Sequence, residues 1–75
     1  MNVRLFVTKT DFCVPNLEKE FQQVGINYHV EYIEDNPELA LQHHIRHSPN
    51  IFIDDELAFR AQPTVSELKQ YFNIK

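Results

Sequence analysis

Phe12-Cys13-Val14-Pro15-Asn16 holds the only cysteine of this 75-residue chain, at the point where a strand pattern gives way to a helical one. Upstream, Val3-Arg4-Leu5-Phe6-Val7-Thr8 is β-prone and puts Val3, Leu5 and Val7 on one face, the period of two of a buried or half-buried strand. Downstream, Leu17, Phe21 and Val24 fall at i, i+4 and i+7, one stripe of a helix. Pro15 suits the first helical turn, because its missing N–H would have had no intrahelical partner and its φ is already helical. Cys13 is therefore expected at or just before the helix start, where unpaired backbone N–H groups and the positive end of the macrodipole favour an anion. A thiolate is such an anion, and it is the reactive form of cysteine. Free cysteine has a pKa of about 8.5, and helix N-termini are among the settings that lower it to roughly 3.5–7.5. Lys9 would assist and Asp11 would oppose. The alternative reading makes Cys13 a small buried hydrophobe.

Size and composition bound the rest. Residues 1–75 are expected to form one domain with a single modest core. Hydrophobic residues make up 43% of the chain, with six Phe, three Tyr and a single Gly, which favours a packed globule over disorder. The formal net charge is −4 and the Lys and Arg residues are scattered singly, so nucleic acid is not an expected partner. The chain has no run of about 18 apolar residues, so no membrane span is expected, and its start does not read as a signal peptide. A cytoplasmic location is expected, and one cysteine without an internal disulfide fits a reducing compartment. A monomer is expected.

Past the first helix, Gly25 is free to take the left-handed conformation that ends it. Ile26, Tyr28, Val30 and Tyr32 then alternate with Asn27, His29, Glu31 and Ile33 as a second strand, and a strand–helix–strand unit of about thirty residues makes the two strands parallel. Asn36 and Pro37 open a second helix as N-cap and first helical residue, expected to run to about His44 along an uneven stripe of Leu39, Ala40, Leu41 and Ile45. After Ser48-Pro49, Asn50-Ile51-Phe52-Ile53 and Glu56-Leu57-Ala58-Phe59 flank Asp54-Asp55 as a β-hairpin. Thr64-Val65-Ser66-Glu67 is a capping box, and Val65, Leu68 and Phe72 are the buried stripe of a closing helix. The order βαβαββα predicts an α/β fold with one four-stranded mixed sheet and helices on both of its faces.

This succession resembles the thioredoxin and glutaredoxin superfamily, most closely the small thioredoxin-like proteins of bacteria and archaea, over nearly the whole chain. Phe12-Cys13-Val14-Pro15-Asn16 is similar to the aromatic-Cys-x-Pro-Cys active site of thioredoxins, with Cys13 in the place of the attacking cysteine. Ser48-Pro49-Asn50-Ile51-Phe52-Ile53-Asp54 resembles the segment in which a cis-proline leads the third strand and leans over the cysteine. Glu56 to Phe72 resembles the closing hairpin and helix. The resemblance implies a cis Ser48-Pro49 bond, where a plain edge-strand proline would be trans, and a substrate-binding surface made by Phe12, Val14, Pro15, Ser48 and Pro49. In the family the backbone before this proline, here that of Ser48, pairs with a bound peptide or glutathione like an added strand.

The chain departs from the pattern at Asn16, where dithiol members carry the cysteine that resolves the mixed disulfide. What remains is monothiol exchange: Cys13 attacks a protein or low-molecular-weight disulfide and an external thiol releases it. Asn16 either donates an N–H to the thiolate, a catalytic role, or is only a polar residue left where a resolving thiol was lost. No resident cofactor is expected. The resemblance to glutaredoxins admits glutathione as a co-substrate, although Lys9 is displaced by one residue from the lysine those proteins use, and their small polar pair is not evident around Arg60-Ala61-Gln62. His43, His44 and His47 have the spacing of two zinc ligands on one helix face, against which stands a plain helix end that favours protonated imidazoles. Three functions follow as candidates: a single-cysteine oxidoreductase, a redox-inactive protein-binding module on the same fold, and, third in order, an iron-sulfur or zinc carrier that uses Cys13 with glutathione or the histidines.

Overall fold

The period of two in the first strand sorts its side chains onto two faces, and each face meets different helices. The computed structural model describes residues 1–74. In chain order they form β1 (Val3–Val7), α1 (Val14–Val24), β2 (His29–Tyr32), a 3-10 turn (Ile33–Asp35), α2 (Pro37–Gln42), β3 (Asn50–Ile53), β4 (Glu56–Phe59) and α3 (Val65–Tyr71). The four strands make one sheet in the order β2-β1-β3-β4. β1 runs parallel to β2, with Leu5 opposite Val30, and antiparallel to β3, with Leu5 opposite Ile51; β3 and β4 are antiparallel. This is the mixed sheet that the order of elements predicts.

On one face Val3, Leu5 and Val7 of β1 and Ile51 and Ile53 of β3 pack against Leu17 and Phe21 of α1 and Leu68 of α3. On the other, Phe6 and Phe52 meet Ala40 of α2 and Ile45, the two rings edge to face at 5.9 Å between centroids. Helices thus cover both faces. Full burial of side chains such as Leu17, Phe21 and Leu68 is worth about 1.5–3 kcal/mol each.

The turns form where local chemistry asks for them. Gly25 closes α1 at φ 73°, and Asp54 and Asp55 both take positive φ, 51° and 70°, as the tight turn between β3 and β4 requires. Two elements are shorter than their patterns suggest. α2 ends at Gln42 rather than near His44, because His44 turns left-handed at φ 56° and the Ile45 N–H reaches back to the Ala40 carbonyl at 2.8 Å. That reversal carries Ile45 into the second core, while Leu41 is left 78% exposed. The Asn36 side chain does not cap α2; its amide donates instead to the Tyr32 carbonyl at 2.8 Å. β2 begins at His29, since Ile26 and Tyr28 leave the sheet edge to pack over the core beside the end of α1. Among the described residues no helix is long and apolar enough to cross a membrane.

Candidate functional site

β1 ends at Val7 and α1 begins at Val14, so the intervening loop delivers Cys13 to one end of the sheet as the N-cap residue of α1, with Pro15 in the first turn. The thiol is free and exposed. Its turn is not closed by the cysteine side chain, which makes no capping bond, but by Asp11. The carboxylate Oδ1 of Asp11 accepts the Cys13 N–H at 2.8 Å, an Asx turn across two residues. The other carboxylate oxygen accepts the hydroxyl of Ser48. Ser48 Oγ in turn accepts the Thr8 N–H at 3.1 Å, so one side chain from the loop before β3 ties together both ends of the cysteine loop.

Ser48 is placed there by the turn before β3. The Ser48-Pro49 peptide bond is cis, Pro49 is buried, and Asn50, fully buried at the start of β3, donates its amide to the His47 carbonyl at 2.7 Å. Cys13 and the Ser48-Pro49 segment are thus linked through a single carboxylate. Around them Phe12 is 95% exposed and Pro15 is also open to solvent, whereas Val14 is turned partly into the first core. Asn16 is exposed, and among the described residues no hydrogen bond joins its amide to Cys13.

The electrostatics run against the helix start. The Cys13 thiol is pushed up from its ordinary value, first by desolvation and then by the charge and hydrogen bonding of the Asp11 carboxylate. The α1 N-terminus pulls the other way, but the charged side chain that acts on the thiol is Asp11, and no cation is among the causes of the shift. Lys9, the obvious candidate in the sequence, is committed elsewhere: its Nζ lies 3.2 Å from Asp35 and 5.6 Å from the centre of the Tyr32 ring. Asp11 itself is held below the usual carboxylate range: burial raises it, but hydrogen bonds from the Ser48 hydroxyl and from the backbone and side chain of Cys13 outweigh that.

Asp11 and Thr8 take part in the site through partners distant in the sequence. Aspartate two residues before a helix-capping position is a legible Asx-turn signal, but its second partner lies 37 residues away. The histidines have separate roles: the His43 ring packs edge-on against Phe52 at 4.9 Å, His47 Nε2 lies 2.6 Å from the Arg60 carbonyl, and His44 is the exposed left-handed residue after α2. Among the described residues no three His, Cys, Asp or Glu side chains are grouped as metal ligands.

The family described as thioredoxin domain matches residues 8–73. Thioredoxin 1 from the thermophilic eubacterium Thermosipho africanus TCF52B is similar in structure, with a TM-score of 0.67 over 99% of this chain and 97% of that one, at 17% sequence identity. No curated protein matches the chain significantly.

Proposed function

The chain belongs to the thioredoxin domain family, and on that premise we propose that it is a thiol-disulfide exchange protein working through Cys13 alone, with an external thiol in place of a resolving cysteine. The observation that carries the reading is the exposed Cys13 thiol at the start of α1, held by Asp11 against Ser48 of the cis-proline segment. In the first step the Cys13 thiolate attacks one sulfur of a disulfide R–S–S–R′, forming Cys13–S–S–R and releasing R′–S⁻, which takes a proton from solvent. In the second an external thiolate attacks the R sulfur, regenerates the Cys13 thiolate and leaves with R as a new disulfide. Each exchange oxidises one sulfur as it reduces another.

The raised thiol pKa shapes both halves. It keeps the thiolate a minority at neutral pH, makes each thiolate more nucleophilic, and makes Cys13 the poorer leaving group. Exposed Phe12 and Pro15 and part-buried Ser48 offer the surface over which the substrate lies, with Val14 turned partly inward and Pro49 buried beneath it, and the external thiol is a protein or low-molecular-weight thiol.

A second reading has its own support. Among the described residues no hydrogen bond joins the Asn16 side chain to Cys13, and Phe12 is almost wholly exposed, which suits a redox-inactive module that docks a protein partner beside Cys13. The test is turnover of an uncharged substrate, a peptide mixed disulfide of 2-mercaptoethanol with excess 2-mercaptoethanol as external thiol. Exchange faster than with the Cys13→Ser variant is expected. A rate equal to that variant leaves only the docking role.

A further inference from the structure

We infer that Asp11 makes the Cys13 site selective for disulfides that carry positive charge next to their sulfur, an ammonium or guanidinium group within a few bonds, over anionic disulfides such as that of glutathione. The inference rests on the exchange reading and names the substrate class of the same site. Its basis is a carboxylate pinned beside the reacting sulfur. Oδ1 is held at 2.8 Å by the Cys13 N–H and the second oxygen by the Ser48 hydroxyl, so the charge cannot swing away when a substrate arrives.

Among the described residues that charge has no counter-ion. Among the described residues the cations in ion pairs are Arg4 and Lys9, and neither is paired with Asp11. Lys9 is drawn toward β2 by Asp35, and its backbone N–H is bonded to the Glu34 carboxylate at 2.9 Å, which brings a further acid to the same loop. On the side of the cis-proline segment Arg46 and Arg60 are exposed and make no ion pair with Asp11. The thiol pKa is raised first by desolvation and then by the Asp11 charge and hydrogen bond, and a carboxylate that disfavours a thiolate also disfavours an incoming anion.

The consequence is electrostatic and computable in order of magnitude. As the Cys13 thiolate attacks, one negative charge is spread over three sulfurs next to Asp11. A carboxylate on the substrate adds repulsion and an ammonium adds attraction, each worth about three- to tenfold in rate per unit charge near a protein surface at low salt. The bond changes are those already given: Cys13–S–S–R forms, R–S–S–R breaks, and R–S⁻ departs and is protonated by solvent.

The test is the second-order rate constant of the reduced protein with cystamine and with glutathione disulfide at one pH and low ionic strength. Each rate is divided by that of 2-mercaptoethanol thiolate with the same disulfide, which removes intrinsic reactivity. A normalised preference for cystamine of at least about tenfold is expected, shrinking several-fold in about 1 M salt, where the screening length is roughly 3 Å. Asp11→Asn keeps the size of the side chain and should also shrink the ratio; a changed thiolate population cancels, because both disulfides meet the same thiolate. The salt series on the natural chain stands even if that variant folds poorly. Peptide mixed disulfides flanked by lysine or by glutamate extend the comparison, and a lysine preference assigns protein substrates as well as small aminothiols. An equal or reversed ratio, or one that Asp11→Asn leaves unchanged, overturns the inference while exchange itself stands. Reaction with neither disulfide, nor with the uncharged mixed disulfide, overturns the exchange reading and this inference with it.

Discussion

The two helices that share one face of the sheet begin in opposite ways. α3 closes its own start: Thr64 accepts the Glu67 N–H at 3.1 Å, and the Glu67 carboxylate accepts the Thr64 N–H at 3.0 Å, so two of the orphan donors are satisfied within four residues. α1 has no side-chain cap from Cys13. Its turn is held from upstream by Asp11 and, through Asp11, by Ser48 from across the sheet. The first arrangement spends its polar groups on helix stability. The second leaves a sulfur open to solvent and hangs its geometry on a distant loop, which is what a reactive position needs.

The contrast lies at the caps and not beneath them, and the largest expected effects check this. Leu17 of α1 and Leu68 of α3 are both fully buried in the same core. Leu17→Ala and Leu68→Ala should each cost about 2–5 kcal/mol in denaturant unfolding. A loss under about 1 kcal/mol at Leu17 alone would mean that α1 is only loosely anchored and that its cap cannot be compared with that of α3.

Breaking the α3 cap comes next in size. Thr64→Ala should lower stability by about 1 kcal/mol and leave the alkylation rate of Cys13 unchanged. A change in that rate would couple the two helix starts, which the comparison treats as independent.

Asp11→Asn should do the reverse, moving reactivity more than stability. With the carboxylate gone, its charge and hydrogen bond no longer favour the neutral thiol, so the midpoint of iodoacetamide alkylation should fall and the rate at neutral pH rise. A midpoint that stays put or rises would show that Asp11 is not what holds the thiol protonated.

The smallest effect is on stability against pH. The folded pKa of Asp11 lies below its unfolded value, so its contribution is present above that value and is lost as pH falls through the folded one. Cys13 is the opposite case: its folded pKa lies above the unfolded one, so its contribution is present below the unfolded value and is lost as pH rises through the folded one. Acid and alkaline unfolding curves of Asp11→Asn and Cys13→Ser should each be flatter than those of the natural chain on the matching limb. Curves that superimpose on both limbs would remove these two groups from the pH response.

Much of the fold is legible because it rests on short-range rules. The alternation of Val3, Leu5 and Val7 and the spacing of Leu17 and Phe21 were enough to pick out the face of each element that is buried, since side-chain direction follows from strand and helix periods. Gly25, Asp54 and Asp55 marked their turns through the backbone conformations they tolerate. The boundaries that depart from the pattern, at the end of α2 and the start of β2, lie where packing overrides it: Ile45 is buried in the second core, and Ile26 and Tyr28 pack on the first core outside β2.

For this chain, then, the residues in order determined the succession of elements, the position of Cys13 at a helix start and the capping box of α3, because each depends on neighbours a few positions away. Only the tertiary structure decided the environment of the sulfur. Asp11 meets Ser48 across 37 residues of chain, and Lys9 turns away to Asp35. Charges act through space, so the direction in which the thiol shifts is a property of the folded surface and not of the order of residues along the chain.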